Sequence, residues 1–332
     1  MTKAARLGTF FIAFVLCALF FGGLLLVAER PSMRWGLRTT EPIYLHEGNV
    51  DVVIGGSSRA RRGIFGPYLE EDLREFLPDR DPVVYNLGVA GNGTDAQILA
   101  MIELLQYRTV DYVFLQLDML RRNRPPTHRN LQRLGRTWDI VVAPLQSMTW
   151  FEALTHRFQL LYLRFSLAAD TCLQLGTECW APKLKPRPAQ TYDLSEPRDL
   201  ELAELFKKLS QRERRRDGAY FLSDDRDWRF DRGPELRTAF YLDLLIDEAA
   251  KQGTRVVLMD FPKFEFAQLN DRTIELVEDR FGLDLITFDR AELREMGSRA
   301  WGDFGHFNYV GEAIARGKIV NYIRSEHGHG GH

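Results

Sequence analysis

The chain reads as an α/β domain built on a five-stranded, mainly parallel sheet, and three features of its 332 residues say so. Short, mainly apolar runs, such as 49–56 (NVDVVIGG) and 255–260 (RVVLMD), alternate with longer amphipathic stretches. Such alternation requires crossover connections, and such apolarity is what strands covered on both faces need. Several of these runs end in glycine-rich or polar turns. A hydrophobic content of 45% with 27% charged residues is that of a folded domain with ample core material. Lys and Arg number 44 against 46 Asp and Glu, a net charge of −2, which removes the electrostatic basis for general nucleic-acid affinity. Three cysteines are too few for a disulfide-built scaffold or a Cys-rich zinc module.

The elements follow in order. Residues 7–28 (LGTFFIAFVLCALFFGGLLLVA) carry no charge, and such a run is long enough to span a bilayer as one helix. Lys3 and Arg6 before it favour a cytoplasmic N-terminus, leaving the remainder on the outer side. A cleaved signal peptide is the rival reading, but its apolar region is normally about 7–15 residues. Residues 31–48 read as a linker. The first strand, 49–56, stops at Gly55-Gly56, and 67–76 (PYLEEDLREF) forms an amphipathic helix with Pro67 in its first turn. Strand 82–87 leads into the glycine-rich GVAGNG, and a helix from Thr94 to about Tyr107 follows, capped by Thr94 or Asp95. Strands 110–117, 255–260 and 283–288 complete the sheet, the last two each preceded by a helix, and a final helix spans 309–323.

Residues 121–233 interrupt this rhythm and read as an insertion or cap on one domain covering 49–325. They hold a highly charged helix, 197–216, whose charges are read as a solvated face. Cys172 and Cys179 also lie there, either as a local disulfide of an exported domain or as two buried thiols. The His/Gly-rich end, 326–332, reads as a disordered tail.

Ligands of open parallel sheets gather outside the carboxyl ends of the strands. Three polar features fall there: Ser57-Ser58 after the first strand, 88–94 after the second, and Asp303 with His306 after the fifth. A serine nucleophile needs a base within hydrogen-bond reach and a group that orients the base. Each piece also has a structural reading: the serines as helix caps, the glycines as a tight turn, Asp303 with His306 as an ion pair, and Asn308 as a cap. Arg59, Arg61 and Arg62 suit an anionic group, or pair with Glu70 and Glu71 on the next helix.

Taken together these blocks resemble the SGNH (GDSL-type) hydrolase superfamily. VVIGGSSRARRG resembles its first block, with Ser58 in the nucleophile's place and Ser57 where the family has Asp. NLGVAGNGT resembles the second, with Gly91 as the oxyanion-binding glycine, and DFGHFNYVG the fifth, giving Asp303, His306, Asn308 and Gly311. The third block departs: LQLDMLRRNR has no Asn at the oxyanion position, where Asn92 or the Arg59 cluster would have to substitute. The resemblance covers about 50–130 and 240–325. It implies a flavodoxin-like three-layer fold and a Ser58–His306–Asp303 triad. Gly91, Asn92, Ser57 and Arg59 would lie around the oxyanion and substrate, and no metal or cofactor is called for.

Ser57 in place of Asp, with an N-terminal anchor and an outward domain, is similar to the members that act in cell-envelope acylation. Those include the teichoic acid D-alanyl transfer protein and the alginate O-acetylation proteins. What this layout implies is an inner-membrane, single-pass protein. Its periplasmic or extracytoplasmic domain would transfer or remove an O-acyl group, acetyl being expected, on an envelope polysaccharide. A membrane-bound O-acyltransferase is the expected partner, and no nucleic acid is expected. A plain lipid or peptidoglycan esterase and a non-catalytic glycan-binding or docking scaffold are the alternatives.

Overall fold

The computed structural model describes residues 48–88, 94–117, 236–262, 271–303 and 306–329, with scattered positions in 10–23 and 150–166. Its centre is a five-stranded, all-parallel sheet in the order β2-β1-β3-β4-β5. The strands are β1 (Val50–Gly55), β2 (Val84–Asn86), β3 (Val110–Gln116), β4 (Arg255–Met259) and β5 (Asp284–Ile286). Helices α1 (Ser58–Gly63), α2 (Gly66–Phe76), α3 (Thr94–Tyr107), α4 (Leu236–Gln252), α5 (Asp271–Phe281), α6 (Arg290–Met296) and α7 (Tyr309–His329) flank it.

Strand side chains alternate between two cores, as the pleat requires. Val53 of β1 joins Val113, Leu115, Val256 and Leu258 against α3, α4 and α5, and Val50, at the entry to β1 before the alternation sets in, also packs in this core. Val52 and Ile54 join Phe114, Val257 and Met259 against α1, α2, α6 and α7. The sheet is therefore covered on both faces, and its innermost strands are buried along nearly their whole length.

The five expected strands and the helices expected at 67–76, 94–107 and 309–323 are present, with shorter strands at the sheet edges. β2 covers 84–86 rather than 82–87, and β5 covers 284–286 rather than 283–288. Thr94 and Asp95, expected as caps, lie inside the first turn of α3, where buried Asp95 accepts a hydrogen bond from Thr238 at 3.2 Å. Elements not foreseen include α1, which carries Ser58; α6, opened by an Asp289–Glu292 capping box; and an antiparallel ribbon of β6 (Trp301–Asp303) and β7 (His306–Phe307).

The C-terminal end differs from the expected tail. α7 continues through His329, held by the Arg255–Glu326 ion pair and by the ring of His327 at 6.4 Å from Tyr112. In the N-terminal run, positions 10–17, 19–20 and 22–23 are helical, with Phe10, Phe11, Ile12, Phe14, Leu19 and Phe20 exposed. Among the described residues no helix is long and apolar enough to cross a membrane. Cys172, Cys179, the 197–216 stretch and most of the insertion lie outside the described residues.

Candidate active site

The order of the sheet reverses direction between β1 and β3, and in a doubly wound sheet the crevice at such a switch point is where ligands bind. Ser58 lies just beyond the end of β1. Two glycines make the turn. A Cβ on Gly55 would lie 2.9 Å from Met101 Cε. One on Gly56 would lie 2.6 Å from the Ala60 Cβ and 2.7 Å from Gln116 Oε1, so no side chain fits. Ser57 then caps α1, its hydroxyl oxygen accepting the Arg59 N–H at 3.2 Å, and Ser58 is the first helical residue.

His306 arrives from the other end of the chain. Its neighbour Phe307 is buried against Trp301, Phe288 and Phe261, with ring centroids 4.8, 5.7 and 6.4 Å away. Asn308 caps α7: its side-chain oxygen accepts from the N–H groups of Val310 and Gly311 at 2.8 and 3.2 Å. Its amide donates to the Arg299 carbonyl at 2.6 Å, and its own N–H donates to the Ala300 carbonyl. This knot presents the His306 ring to Ser58, with Nε2 2.8 Å from Oγ across 248 residues of sequence. Both residues are half-buried, so the pair is reachable from solvent. The backbone of Asp303 pairs with that of His306 in the β6–β7 ribbon. The Asp303 side chain, Gly91 and Asn92 lie outside the described residues.

Two other expected site residues have structural tasks. Ser57 donates both its N–H and its hydroxyl to Gln116 Oε1, at 2.8 and 2.9 Å, which leaves neither for an oxyanion or substrate. Arg59 is buried, and its guanidinium donates to the Phe261 carbonyl at 2.9 Å, strapping α1 to the segment beyond β4. Glu70 accepts the Val84 N–H at 2.9 Å and is held above the usual carboxylate range by burial, so it anchors β2 rather than pairing with Arg61. Glu312, also pushed up by burial, accepts the Phe65 N–H and pairs with Arg316, which reaches on to Asp72.

Sequence reasoning missed Gln97 and Gln116. Both are buried, and their oxygens accept the N–H groups of Gly56 and Ser57, at 3.4 and 2.8 Å. A polar residue closing an otherwise apolar strand, as Gln116 closes β3, was the available signal. Among the described residues no group of three or more His, Cys, Asp or Glu is placed to hold a metal ion. No protein-family model matches this chain, and no curated protein is significantly similar to it.

Proposed function

We propose that this chain is an extracytoplasmic SGNH-like serine enzyme, anchored through residues 7–28, that transfers or removes an O-acyl group on a cell-envelope polysaccharide. The observation that carries the reading is the 2.8 Å approach of His306 Nε2 to Ser58 Oγ at the sheet's switch point. The strand order 2-1-3-4-5 is also the flavodoxin-like order that such a fold requires.

The chemistry follows from that pair. With its proton on Nδ1, His306 turns the Nε2 lone pair to the Ser58 hydroxyl and takes its proton as Oγ attacks the acyl carbonyl carbon. Asp303 orients the imidazole in this reading and stabilises its charged form. The oxyanion that forms needs preorganised donors. The N–H groups of Gly56, Ser57 and Arg59 are already committed to Gln97, Gln116 and the Ser57 hydroxyl. The Ser58 N–H is not in that set, and it acts here with the N–H of Gly91. The tetrahedral intermediate collapses, the imidazolium gives its proton to the departing alkoxide, and Ser58 keeps the acyl group. A sugar hydroxyl or water, deprotonated by His306, then releases it as a new ester or as free acid.

Labelling of the full chain in detergent with a fluorophosphonate tests this. Wild type is expected to label, and Ser58→Ala and His306→Ala are each expected to abolish labelling while unfolding at an unchanged denaturant midpoint. Folded wild-type protein that stays unlabelled would replace the enzyme reading with that of a docking or glycan-binding scaffold.

A further inference from the structure

We propose that Gln116 is a positioning residue that sets the nucleophile turn, acting through Ser57 and not on the substrate; this rests on the reading of Ser58 as nucleophile. Gln116 is the last residue of β3 and is fully buried, where a carboxamide is costly unless its hydrogen bonds are made. An N–H group can only donate, so the Gln116 atom facing the Ser57 N–H must be the oxygen, which fixes the orientation of the amide. The Ser57 hydroxyl donates to the same oxygen while accepting from the Arg59 N–H. The hydroxyl proton of Ser57 therefore points into the sheet at Gln116, and Ser58, one residue on, is left as the hydroxyl that meets His306.

The seat is tight as well as polar. β1 and β3 are paired with Gly55 opposite Leu115, so Gln116 stands beside Gly56 as the chain leaves the sheet. A Cβ on Gly56 would come within 2.7 and 2.8 Å of the Gln116 Oε1 and Cβ, which shows how closely the turn lies on this side chain. Gln97, from α3, holds the preceding N–H by a longer bond of 3.4 Å. A site held by a side chain on a central strand is more exactly placed than one held by a loop. Without the Gln116 acceptor, two donors of Ser57 lose their partner together, and the turn that aims Ser58 Oγ is released. Misplacement of a reacting group by about 1 Å costs about 10²-fold in rate.

The test uses the full chain in detergent, with aryl acetate turnover, fluorophosphonate labelling and amide hydrogen exchange at Ser57. Gln116→Met, of similar length but without the acceptor, is expected to keep KM while kcat and the labelling rate fall about 10²-fold, and to exchange the Ser57 amide faster. Gln116→Glu retains an acceptor at the same reach and is expected to recover most of the rate and of the protection. If Gln116→Met loses cooperative unfolding, Ser57→Ala takes its place. It removes one of the two hydrogen bonds to Gln116, together with the cap on the Arg59 N–H, and is expected to lower kcat at unchanged KM, far less than Ser58→Ala does. Wild-type rates in Gln116→Met, or equal losses in the Met and Glu variants, would overturn the positioning role. A wild type that neither labels nor turns over would instead overturn the nucleophile reading, and exchange at Ser57 then decides on its own whether Gln116 holds the turn.

Discussion

Replacing Gly311 by alanine tests whether the α7 N-terminus and the His306 ribbon form one rigid unit. The added Cβ would lie 2.3 Å from the Ala300 carbonyl oxygen and 2.7 and 2.8 Å from the Phe307 ring. Relieving the closest of these to 3.0 Å, below which real Cβ contacts are essentially not found, takes about 0.7 Å. Neither obstacle yields easily. The Ala300 carbonyl is backbone and already accepts the Asn308 N–H, while the Phe307 ring is wedged among Trp301, Phe288 and Phe261. The displacement therefore reaches His306, and a shift of that size takes its 2.8 Å contact with Ser58 toward the limit of a hydrogen bond. Overpacking of this kind costs about 1–3 kcal/mol, and the misplacement about 10²-fold in labelling rate. Gly317, on the same helix with nothing within 4 Å of a Cβ, is the matched control. Its change to alanine should leave labelling intact and stabilise by about 0.4–1 kcal/mol. Denaturant unfolding and fluorophosphonate kinetics read both variants. A Gly311→Ala protein within about 0.5 kcal/mol of wild type and labelled at the same rate would refute the rigid-unit reasoning.

Two further substitutions probe the same region. Asn308→Ala removes the acceptor of the Val310 and Gly311 N–H groups and the donor to the Arg299 carbonyl, so a loss of about 1–2 kcal/mol is expected in urea unfolding, with slower labelling. An unchanged midpoint would mean that α7 does not depend on this cap. Glu312 has its carboxyl raised by burial, so the folded state holds that proton more tightly than the unfolded state does. Its ionisation thus costs stability as pH rises through the raised value, and costs none below the ordinary glutamate value of about 4.3. Glu312→Gln keeps an acceptor for the Phe65 N–H and removes that charge. Relative to wild type it should therefore fare best at neutral pH and lose ground as pH falls to 4, and the reverse trend in the urea midpoints would contradict the assignment.

How much of this was legible beforehand depends on the range of the forces involved. β1, β3 and β4 could be read because burial on both faces makes most of their residues apolar, a purely local mark. β2 and β5 were overextended because apolar residues at a sheet edge also serve elsewhere: Phe288 leaves the ladder to pack on Phe307 in the core below. The end of α7 was missed for the opposite reason. Residues 324–329 (RSEHGH) carry no apolar period, and the turn they form is held from outside, by Arg255 on β4 and Tyr112 on β3. At the site, Ser58 and His306, which the structure brings into contact, could be picked out because serine and histidine at strand ends are the residue types that the proposed nucleophile and base require. Gln97 and Gln116 were missed: a glutamine closing a strand signals only a polar task, and which task it is depends on the sheet order that sets Gln116 beside a turn 59 residues away.

The meeting of Ser58 and His306 is a problem of span as much as of chemistry. Ser58 follows β1, whereas His306 belongs to a ribbon reached only after β5, and β3 and β4 stand between β1 and β5 in the sheet. The ribbon must therefore return across the carboxyl end of β4, and Phe261 marks the crossing. Its ring packs on Phe307, the neighbour of His306, while its carbonyl accepts the Arg59 guanidinium from α1, the helix that carries Ser58. Gly63 leaves room for this: a Cβ there would lie 2.8 Å from the Phe261 ring. One residue thus ties both partners of the pair to the same strand end, one through packing and the other through a charge-assisted hydrogen bond, the stronger kind. That task explains why an arginine follows Ser58 and why it is buried, where an exposed guanidinium would have been expected from a substrate-binding role. Gly63, Arg59, Phe261 and Phe307, the described members of this frame, all belong to the sheet domain.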